Sequence, residues 1–224
     1  MKNKLVLIVL LALPILIYLI FATATHNSLF LPTISKNNKE LPKWNSLDAT
    51  PVVLENKITV LGFIGKNAIL DQGNIFNLNQ KIYDKYVGFK DFQIVMIAED
   101  GTQNDVKSVV EKLSNFTENM KAWKFVFAKP SEIQAYYDSF KLRGKLDANQ
   151  STSEVIIIDK DRNHRGRKGK NKEGVKEFKE SYNTISAADL SDAMTDDVKI
   201  LLREYRLALK RNNKRKDFHL HEDK

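Results

Sequence analysis

Few side chains in this sequence have the types and spacing that chemistry requires. The chain has no cysteine, which excludes disulfides, thiol catalysis and cysteine-ligated metals. Among the histidines, His164 stands within a run of arginines, whose charges repel a metal cation. His219 and His221, beside Glu222 and Asp223, could hold a divalent ion weakly, although a solvated tail is the favoured interpretation. We therefore predict no cofactor and no metal site.

The acidic residues form no recognisable catalytic pair. Glu99 and Asp100 end a predicted strand, where α/β active sites often lie. No histidine, serine or second carboxylate accompanies them at a known spacing. Asp196, Asp197 and Glu204 fall on the last predicted helix, and we assign them to its solvent face. The sequence therefore predicts no catalytic residue and no enzyme.

One short loop has the position of an anion site. Gly65, Lys66 and Asn67 follow a predicted strand and precede a predicted helix, so their N–H groups could cradle an anion. The loop is not a nucleotide-binding P-loop, because two residues separate Gly62 from Gly65 where that motif needs four. A plain turn is the favoured interpretation, and an anion site is the alternative.

The elements around these residues alternate between strand and helix patterns. Continuous apolar runs predict buried strands at 57–64, 92–98, 123–127 and 154–159, with an edge strand near 162–167. Apolar residues at helical spacing predict helices over 73–87, 106–116, 131–140 and from 186 onward. Capping boxes at Ser131 and Ser186 mark the starts of the last two. The order predicts an α/β, thioredoxin-like fold with a central mixed sheet and helices on both faces.

An uncharged apolar segment, Leu5–Ala22, precedes this domain. It would span about 27 Å as a helix, close to the thickness of a bilayer core, and predicts one transmembrane helix. Lys2 and Lys4 place the N-terminus in the cytoplasm and the main domain outside the cytoplasmic membrane. The alternative is a signal peptide cleaved near Ala24, followed by secretion.

The predicted organisation has four parts. Residues 1–24 are the membrane anchor or signal peptide, and 25–45 are a polar tether. Residues 46–211 form the thioredoxin-like domain, and 212–224 form a charged tail.

The framework of the domain resembles the Sco/SenC family. These are membrane-anchored, thioredoxin-like proteins that help to deliver copper to cytochrome c oxidase. The resemblance rests on Gly62-Phe63 at the end of the first core strand and on the following helix. It extends to the run Ile156–Asp159 and to the Asp-x-Asp turn that ends at Asp161. It covers residues 40 to 170 approximately and is one of layout more than of identity.

The resemblance also shows what this chain lacks. The two cysteine positions of the family fall on Lys66 and Leu70, and its copper-binding histidine falls near Ser151. Lysine is an ammonium at neutral pH, and copper(I) prefers soft thiolate ligands. The resemblance therefore implies a divergent, cysteine-free member without copper or disulfide chemistry. We associate it with the Bacteroidetes from its Lys/Asn/Ile-rich usage and its C-terminal helix.

The net charge of +8 points to a partner surface instead of an active site. A basic run supplies five candidate contacts: Arg162, Arg165, Arg167, Lys168 and Lys170. Tyr136 and Tyr137 supply an aromatic candidate, because helix neighbours point about 100° apart and one of them is predicted to be exposed. No nucleic-acid motif accompanies the charge.

Three functions remain open at this point. The first is a non-catalytic accessory or assembly factor that acts by protein contacts outside the membrane, linked to cytochrome c oxidase and other respiratory-complex components. The second is a general envelope adaptor unrelated to copper. The third is an enzyme whose site has no recognisable signature.

Overall fold

The computed structural model describes residues 10–18, 30–117, 119–170 and 174–222, with side chains up to residue 208 in the last helix. Residues 10–18 are helical, and the remainder of the predicted membrane segment lies outside the described residues. Within the described part of the chain, no helix has both the length and the apolarity needed to cross a membrane. The membrane segment therefore stays a prediction.

The strands of the described residues are two to eight residues long. In order they are β1 (Thr33–Ser35), β2 (Asn45–Ser46), β3 (Ile58–Gly65), β4 (Phe92–Glu99), β5 (Trp123–Ala128), β6 (Ser151–Ile158), β7 (His164–Arg165), β8 (Arg167–Lys170), β9 (Lys176–Lys179) and β10 (Tyr182–Asn183).

One mixed sheet contains most of these strands. Its order is β1-β7-β6-β3-β4-β5-β2, and β10 also pairs with β6. The central strands β3, β4 and β5 are parallel, whereas β6 runs antiparallel to β3. β8 and β9 form a separate antiparallel hairpin. The predicted mixed sheet is confirmed, and the carboxyl ends of β3, β4 and β5 meet at one edge of it.

Four helices flank the sheet. α1 combines Gln72–Leu78, a π-helical turn Asn79–Tyr83 and Asp84–Tyr86; α2 is Gln103–Ser114, α3 is Pro130–Ser139, and α4 begins with the π-helical turn Asp189–Met194 and continues over Thr195–Glu222.

The core lies on both faces of the sheet because alternate strand residues point to opposite sides. Val60 and Ile94 belong to the cluster beneath α1, α2 and α4. Leu61 and Val95 belong to the cluster beneath α3. Burial on both faces explains why the central strands are continuous apolar runs. The prediction of helices on both faces is confirmed.

Two local predictions at helix ends are wrong. α2 ends at Ser114, so Phe116 lies beyond the helix, is 72% exposed and packs edge-on against Phe76. α3 begins at Pro130 instead of after a Ser131 cap, and the Glu132 carboxylate accepts the Lys129 N–H at 3.0 Å. Proline suits the first helical position because its φ is already helical and the N–H it lacks would have no partner there.

The segment predicted as a tether also contributes to the domain. β1 pairs with β7 at one edge of the sheet, and Leu31 and Leu41 are buried. A strand as short as β1 has too few residues for an alternating pattern, so its polar sequence hid the pairing.

Candidate functional site

The loop after β3 enters its turn at a position that only glycine can fill. Gly65 has a φ of +45°, and a Cβ there would lie 1.8 Å from the carbonyl oxygen of Asn149. The Lys66 N–H donates to that same Asn149 carbonyl at 3.0 Å. The loop is therefore fixed against the chain that leads into β6.

Polar side chains close the space between this loop and β6. The Asn67 amide donates to Asp147 at 3.0 Å, and the Asn149 amide donates to Asn67 at 2.9 Å. The Asp147 carboxylate also accepts the N–H groups of Asn149 and Ser151, each at 2.8 Å. The Ser151 hydroxyl donates to Asp71 at 2.7 Å. These partners satisfy one another and leave a rigid, sulfur-free junction.

The three positions that the Sco/SenC resemblance marks lie in three different environments. Nζ of Lys66 lies 3.2 Å from Oε1 of Glu99, which makes an ion pair. Leu70 is 80% exposed, whereas Ser151 is buried against Asp71. Among the described residues, no group of three or more His, Asp or Glu side chains is placed to hold a metal ion.

The turn favoured at this loop is confirmed, and the alternative of an anion site finds no support in its hydrogen bonds. The N–H of Lys66 is bonded to Asn149, and the N–H of Asn67 donates to the Ile64 carbonyl at 2.7 Å. With these donors used and the Lys66 charge paired, the segment is a turn. Asp100, the other candidate at this sheet edge, accepts a hydrogen bond from the Gln103 side chain at 2.7 Å.

Copper(I) titration tests the chemistry of the junction. We expect the full chain to lose every competition with a copper(I) chelator, because no thiolate is present and Lys66 is paired with Glu99. A His219→Ala/His221→Ala variant separates any weak binding by the tail. Stoichiometric binding that persists in this variant would contradict the prediction.

The cations of the basic run differ in their burial and in their ion-pair partners. Arg165 is buried, and its guanidinium pairs with Asp159 at 2.9 Å and Glu204 at 2.7 Å. Its Nε donates to the Leu31 carbonyl at 3.0 Å. Glu204 in turn accepts the Leu31 N–H at 2.5 Å. The assignments of Arg165 to a partner surface and of Glu204 to a solvent face are wrong, because each is the other's counter-ion.

Arg167 is held in a second cluster. Its Nε contacts Asp197 at 2.8 Å and its Nη1 contacts Glu177 at 2.9 Å. The Tyr182 hydroxyl donates to Asp197 at 2.6 Å, and burial beside this carboxylate raises the pKa of Tyr182. The placement of Asp197 on a solvent face is therefore wrong, whereas Asp196 is exposed as predicted. This cluster joins α4 to the hairpin and leaves Arg167 only partly accessible.

The remaining cations of the run do reach solvent. Lys168 and Lys170 lie on the hairpin strand β8 and are exposed. Arg162 is half-buried at the preceding turn, with a φ of +59°, and its carbonyl accepts hydrogen bonds from Asn38. The accessible part of the predicted surface is thus a hairpin and its neighbouring turn.

Both tyrosines of α3 are buried, so the predicted exposed aromatic contact is wrong. Tyr136 packs edge-on against Trp44 with ring centroids 5.4 Å apart, and its hydroxyl donates to the Lys39 carbonyl at 3.2 Å. Tyr137 packs edge-on against Phe63 at 5.0 Å. The ring centroids of Tyr136 and Phe63 are 6.5 Å apart, so both tyrosines lie against β3. Trp44 and the Lys39 carbonyl add further contacts to Tyr136, so the buried arc of α3 is wide enough for both neighbours.

His164 is fully buried, which no pattern in the sequence predicted. Its Nε2 lies 2.6 Å from the Glu180 carbonyl, and its Nδ1 has no hydrogen-bond partner in the described part of the chain. Burial lowers the pKa of His164, and the nearby Glu180 only partly offsets this. Burial therefore favours the uncharged imidazole over the imidazolium.

The His164 environment predicts acid sensitivity. The folded pKa lies below the ordinary value of 6.5, so the unfolded chain binds more protons between those two values. We therefore expect the free energy of unfolding to fall as the pH drops below about 6.5. Urea unfolding at pH 7.5 and 5.5 measures this, and His164→Gln should show a smaller difference than the unsubstituted chain. His219→Gln is the control, and an equal pH difference in all three proteins would contradict the prediction.

The ion pairs of Arg165 and Arg167 with carboxylates of α4 were not predicted from the sequence. We call these ion pairs the clamp. Its carboxylates, Asp197 and Glu204, are seven residues apart and hence on one face of α4. Val198 and Leu201, which lie between them in sequence, belong to the buried stripe. Two acidic residues seven positions apart, at the border of an apolar stripe, were the sequence signal that could have predicted these ion pairs.

Comparison with known proteins places this architecture. No family model matches the sequence, and no curated protein matches it significantly. A SCO1/SenC family lipoprotein from Bacillus anthracis aligns at a TM-score of 0.52 and 16% identity, over 80% of this chain and 99% of that one. A Bacteroides thetaiotaomicron protein provisionally assigned as a protein disulfide isomerase aligns at 0.50 and 13%, over 78% and 95%. The chain has a thioredoxin-like fold.

Sco proteins recur among the structural neighbours of this thioredoxin-like chain. The copper-bound ScoI of Arabidopsis thaliana aligns at a TM-score of 0.42 and 17% identity, over 73% of this chain and 98% of that one. At 13% and 16% identity, the two alignments with TM-scores of 0.50 and 0.52 describe the fold alone.

Proposed function

We propose that this thioredoxin-like protein acts by protein contacts, without catalysis of its own, as a membrane-anchored assembly factor for cytochrome c oxidase. The observation that carries the proposal is the junction after β3. There Lys66 pairs with Glu99, Leu70 is exposed and Ser151 bonds to Asp71. A fold that keeps this junction without a thiol, and whose carboxylates there are bonded to neighbouring side chains, contributes a surface.

The location follows from the N-terminal segment. Leu5–Ala22 anchors the chain in the cytoplasmic membrane, with the domain on the outer side, as the Lys2/Lys4 asymmetry favours. The oxidase link is supported by the layout shared with the Sco/SenC family and by the fold of the Bacillus anthracis SCO1/SenC lipoprotein.

The partner surface consists of the exposed cations near the β8–β9 hairpin. Lys168 and Lys170 have no ion-pair partner among the described residues, in contrast to Arg165 and Arg167. Free cations on a projecting hairpin steer an acidic protein partner during encounter. This steering is screened beyond about 8 Å at physiological salt, so capture of the partner should weaken as salt rises.

Complementation of a deletion strain tests the proposal. We expect deletion of the gene to lower assembled cytochrome c oxidase, measured by its haem spectrum and activity. The unsubstituted chain should restore it, and so should Ser151→Ala, because the hydroxyl has no chemical role. Lys168→Ser/Lys170→Ser should restore it poorly and should capture less oxidase from detergent-solubilised membranes.

A matched variant and two outcomes make the test decisive. Lys107→Ser/Lys145→Ser removes the same charge from exposed positions elsewhere and should behave as the unsubstituted chain. A folded Ser151→Ala protein that fails to restore the oxidase would show chemistry at the junction. Normal oxidase in the deletion strain would show that the contacts serve another envelope complex.

A further inference from the structure

A groove lined by apolar and cationic side chains lies between α1 and α4. Its volume is about 330 Å³, and its apolar lining includes Phe89 and Leu207, each 37% exposed, together with Leu202. We call its cationic lining, Lys199, Arg203 and Arg206, the rim. The groove is separate from both the β3 junction and the β8–β9 hairpin.

The three rim cations are exposed and lack partners. None of them forms an ion pair or a side-chain hydrogen bond within the described part of the chain. Asp196, whose charge acts on the neighbouring Tyr86 hydroxyl, is the carboxylate at the end of the groove. Like charges three or four residues apart on a helix destabilise it slightly, so this face is poised for an anionic surface.

The sequence continues the same cationic stripe. Lys210 and Lys214 extend the spacing of Lys199, Arg203 and Arg206 along α4. At 3.6 residues per turn these five positions fall within an arc of roughly 80°. A helix with a cationic stripe beside exposed Phe and Leu side chains has the composition of one that lies on a membrane surface.

The path of the chain keeps α4 within reach of the bilayer. Leu31 is fixed to α4, because its N–H donates to Glu204 and its carbonyl accepts from Arg165. Eight residues, 23–30, connect Ala22, the end of the predicted membrane segment, to Leu31. Fully extended, the nine Cα–Cα steps from Ala22 to Leu31 reach about 30 Å, so Leu31 and the part of α4 bonded to it stay within that distance of the membrane if the segment anchors the chain.

We propose that the groove of Phe89 and Leu207 with its rim of Lys199, Arg203 and Arg206 docks on the surface of an anionic phospholipid bilayer. The phosphate headgroups contact the rim, and the two apolar side chains reach the acyl boundary. This docking orients the domain so that the β8–β9 hairpin is presented at a fixed height. It uses the proposed anchor for proximity and is independent of the proposed oxidase partner.

The absence of cysteine makes a direct test possible. Leu207→Cys in the full chain places a single thiol in the groove for an environment-sensitive dye. The labelled protein is reconstituted in vesicles of neutral phosphatidylcholine or of the same lipid with about one third phosphatidylglycerol, each containing acyl-chain quenchers. We expect strong quenching in the anionic vesicles, little in the neutral ones, and loss of the difference in high salt.

Charge variants identify the rim. Each cation near an anionic membrane surface contributes on the order of fivefold in affinity, so Lys199→Gln/Arg203→Gln/Arg206→Gln should lower the docked-to-undocked ratio on the order of 100-fold. Lys36→Gln/Lys107→Gln/Lys145→Gln removes the same charge from exposed positions elsewhere and should leave quenching unchanged. Loss of dye quenching at high salt in the chain without rim substitutions would also show that the rim cations hold the groove on the anionic membrane.

The outcomes separate this inference from the anchor. Recovery of the full chain with floated neutral vesicles reports insertion of the N-terminal segment, whereas the dye reports the groove. A dye equally exposed in both lipids, or quenched equally in the rim variant and the control, overturns the proposal and leaves the groove to an acidic protein.

Discussion

Arg165→Met should lower the free energy of unfolding by about 3–5 kcal/mol, a large share of the 5–15 kcal/mol typical of a domain. The reason is that the two carboxylates paired with the Arg165 guanidinium are buried. The Asp159 and Glu204 side chains are 1% and 12% exposed, and Arg165 lies between them. Removal of the guanidinium leaves two carboxylates close together with little access to water. Urea unfolding monitored by circular dichroism measures the loss.

The Arg165 clamp also joins parts of the chain that are distant in sequence. It holds Leu31 before β1, Asp159 after β6 and Glu204 on α4. Its loss should therefore free both the N-terminal end of the domain and the last helix. Faster hydrogen exchange in β1 and α4 than in β4 would show this directly.

Two further variants distinguish a charge effect from a packing effect. Arg203→Met removes an exposed, unpaired arginine from the same helix and should change stability by no more than about 0.5 kcal/mol. Arg165→Met/Glu204→Gln should recover part of the loss, because it removes one of the stranded charges. A double variant no more stable than Arg165→Met would contradict the electrostatic account.

Gly65→Ala should be destabilising by about 2–6 kcal/mol, from backbone strain and overpacking together. The left-handed φ of +45° is unfavourable for any residue with a Cβ. The added Cβ would also meet the Asn149 carbonyl oxygen at 1.8 Å, so the loop or the chain before β6 must shift. That shift would break the hydrogen bond from the Lys66 N–H to Asn149.

Gly73→Ala is the matched control. Gly73 lies in α1, and an added Cβ there meets no atom within 4 Å. Gly73 is the second residue of the helix, where alanine needs no unusual backbone conformation and removes the extra conformational freedom of glycine from the unfolded chain, so this variant should be no less stable than the unsubstituted chain. A loss of stability in Gly65→Ala alone is the expected result in thermal unfolding. Similar stability of both would show that the β3 junction tolerates displacement.

The sequence alone determined the central architecture. Ile58–Gly65 and Phe92–Glu99 are apolar at most positions, as expected of strands covered on both faces. The polar exceptions inside the two strands, Thr59 and Gln93, are hydrogen-bonded to each other at 2.9 Å. The buried stripe of α4 through Leu190, Met194 and Val198 was likewise predicted, because helical periodicity records which face is covered. The lack of cysteine excluded thiol chemistry before any geometry was known.

Which residues remain free on the surface was decided only by the tertiary structure. Arg165 and Glu204 are 39 residues apart and Arg167 and Asp197 are 30 apart, so no local pattern pairs them. Tyr136 and Tyr137 are both buried because each ring lies against Phe63 of β3 and Trp44 also packs on Tyr136, which the spacing of residues on a helix does not reveal. A charge or a ring is accessible only if no distant segment packs on it, and that depends on how the sheet and its edges are assembled.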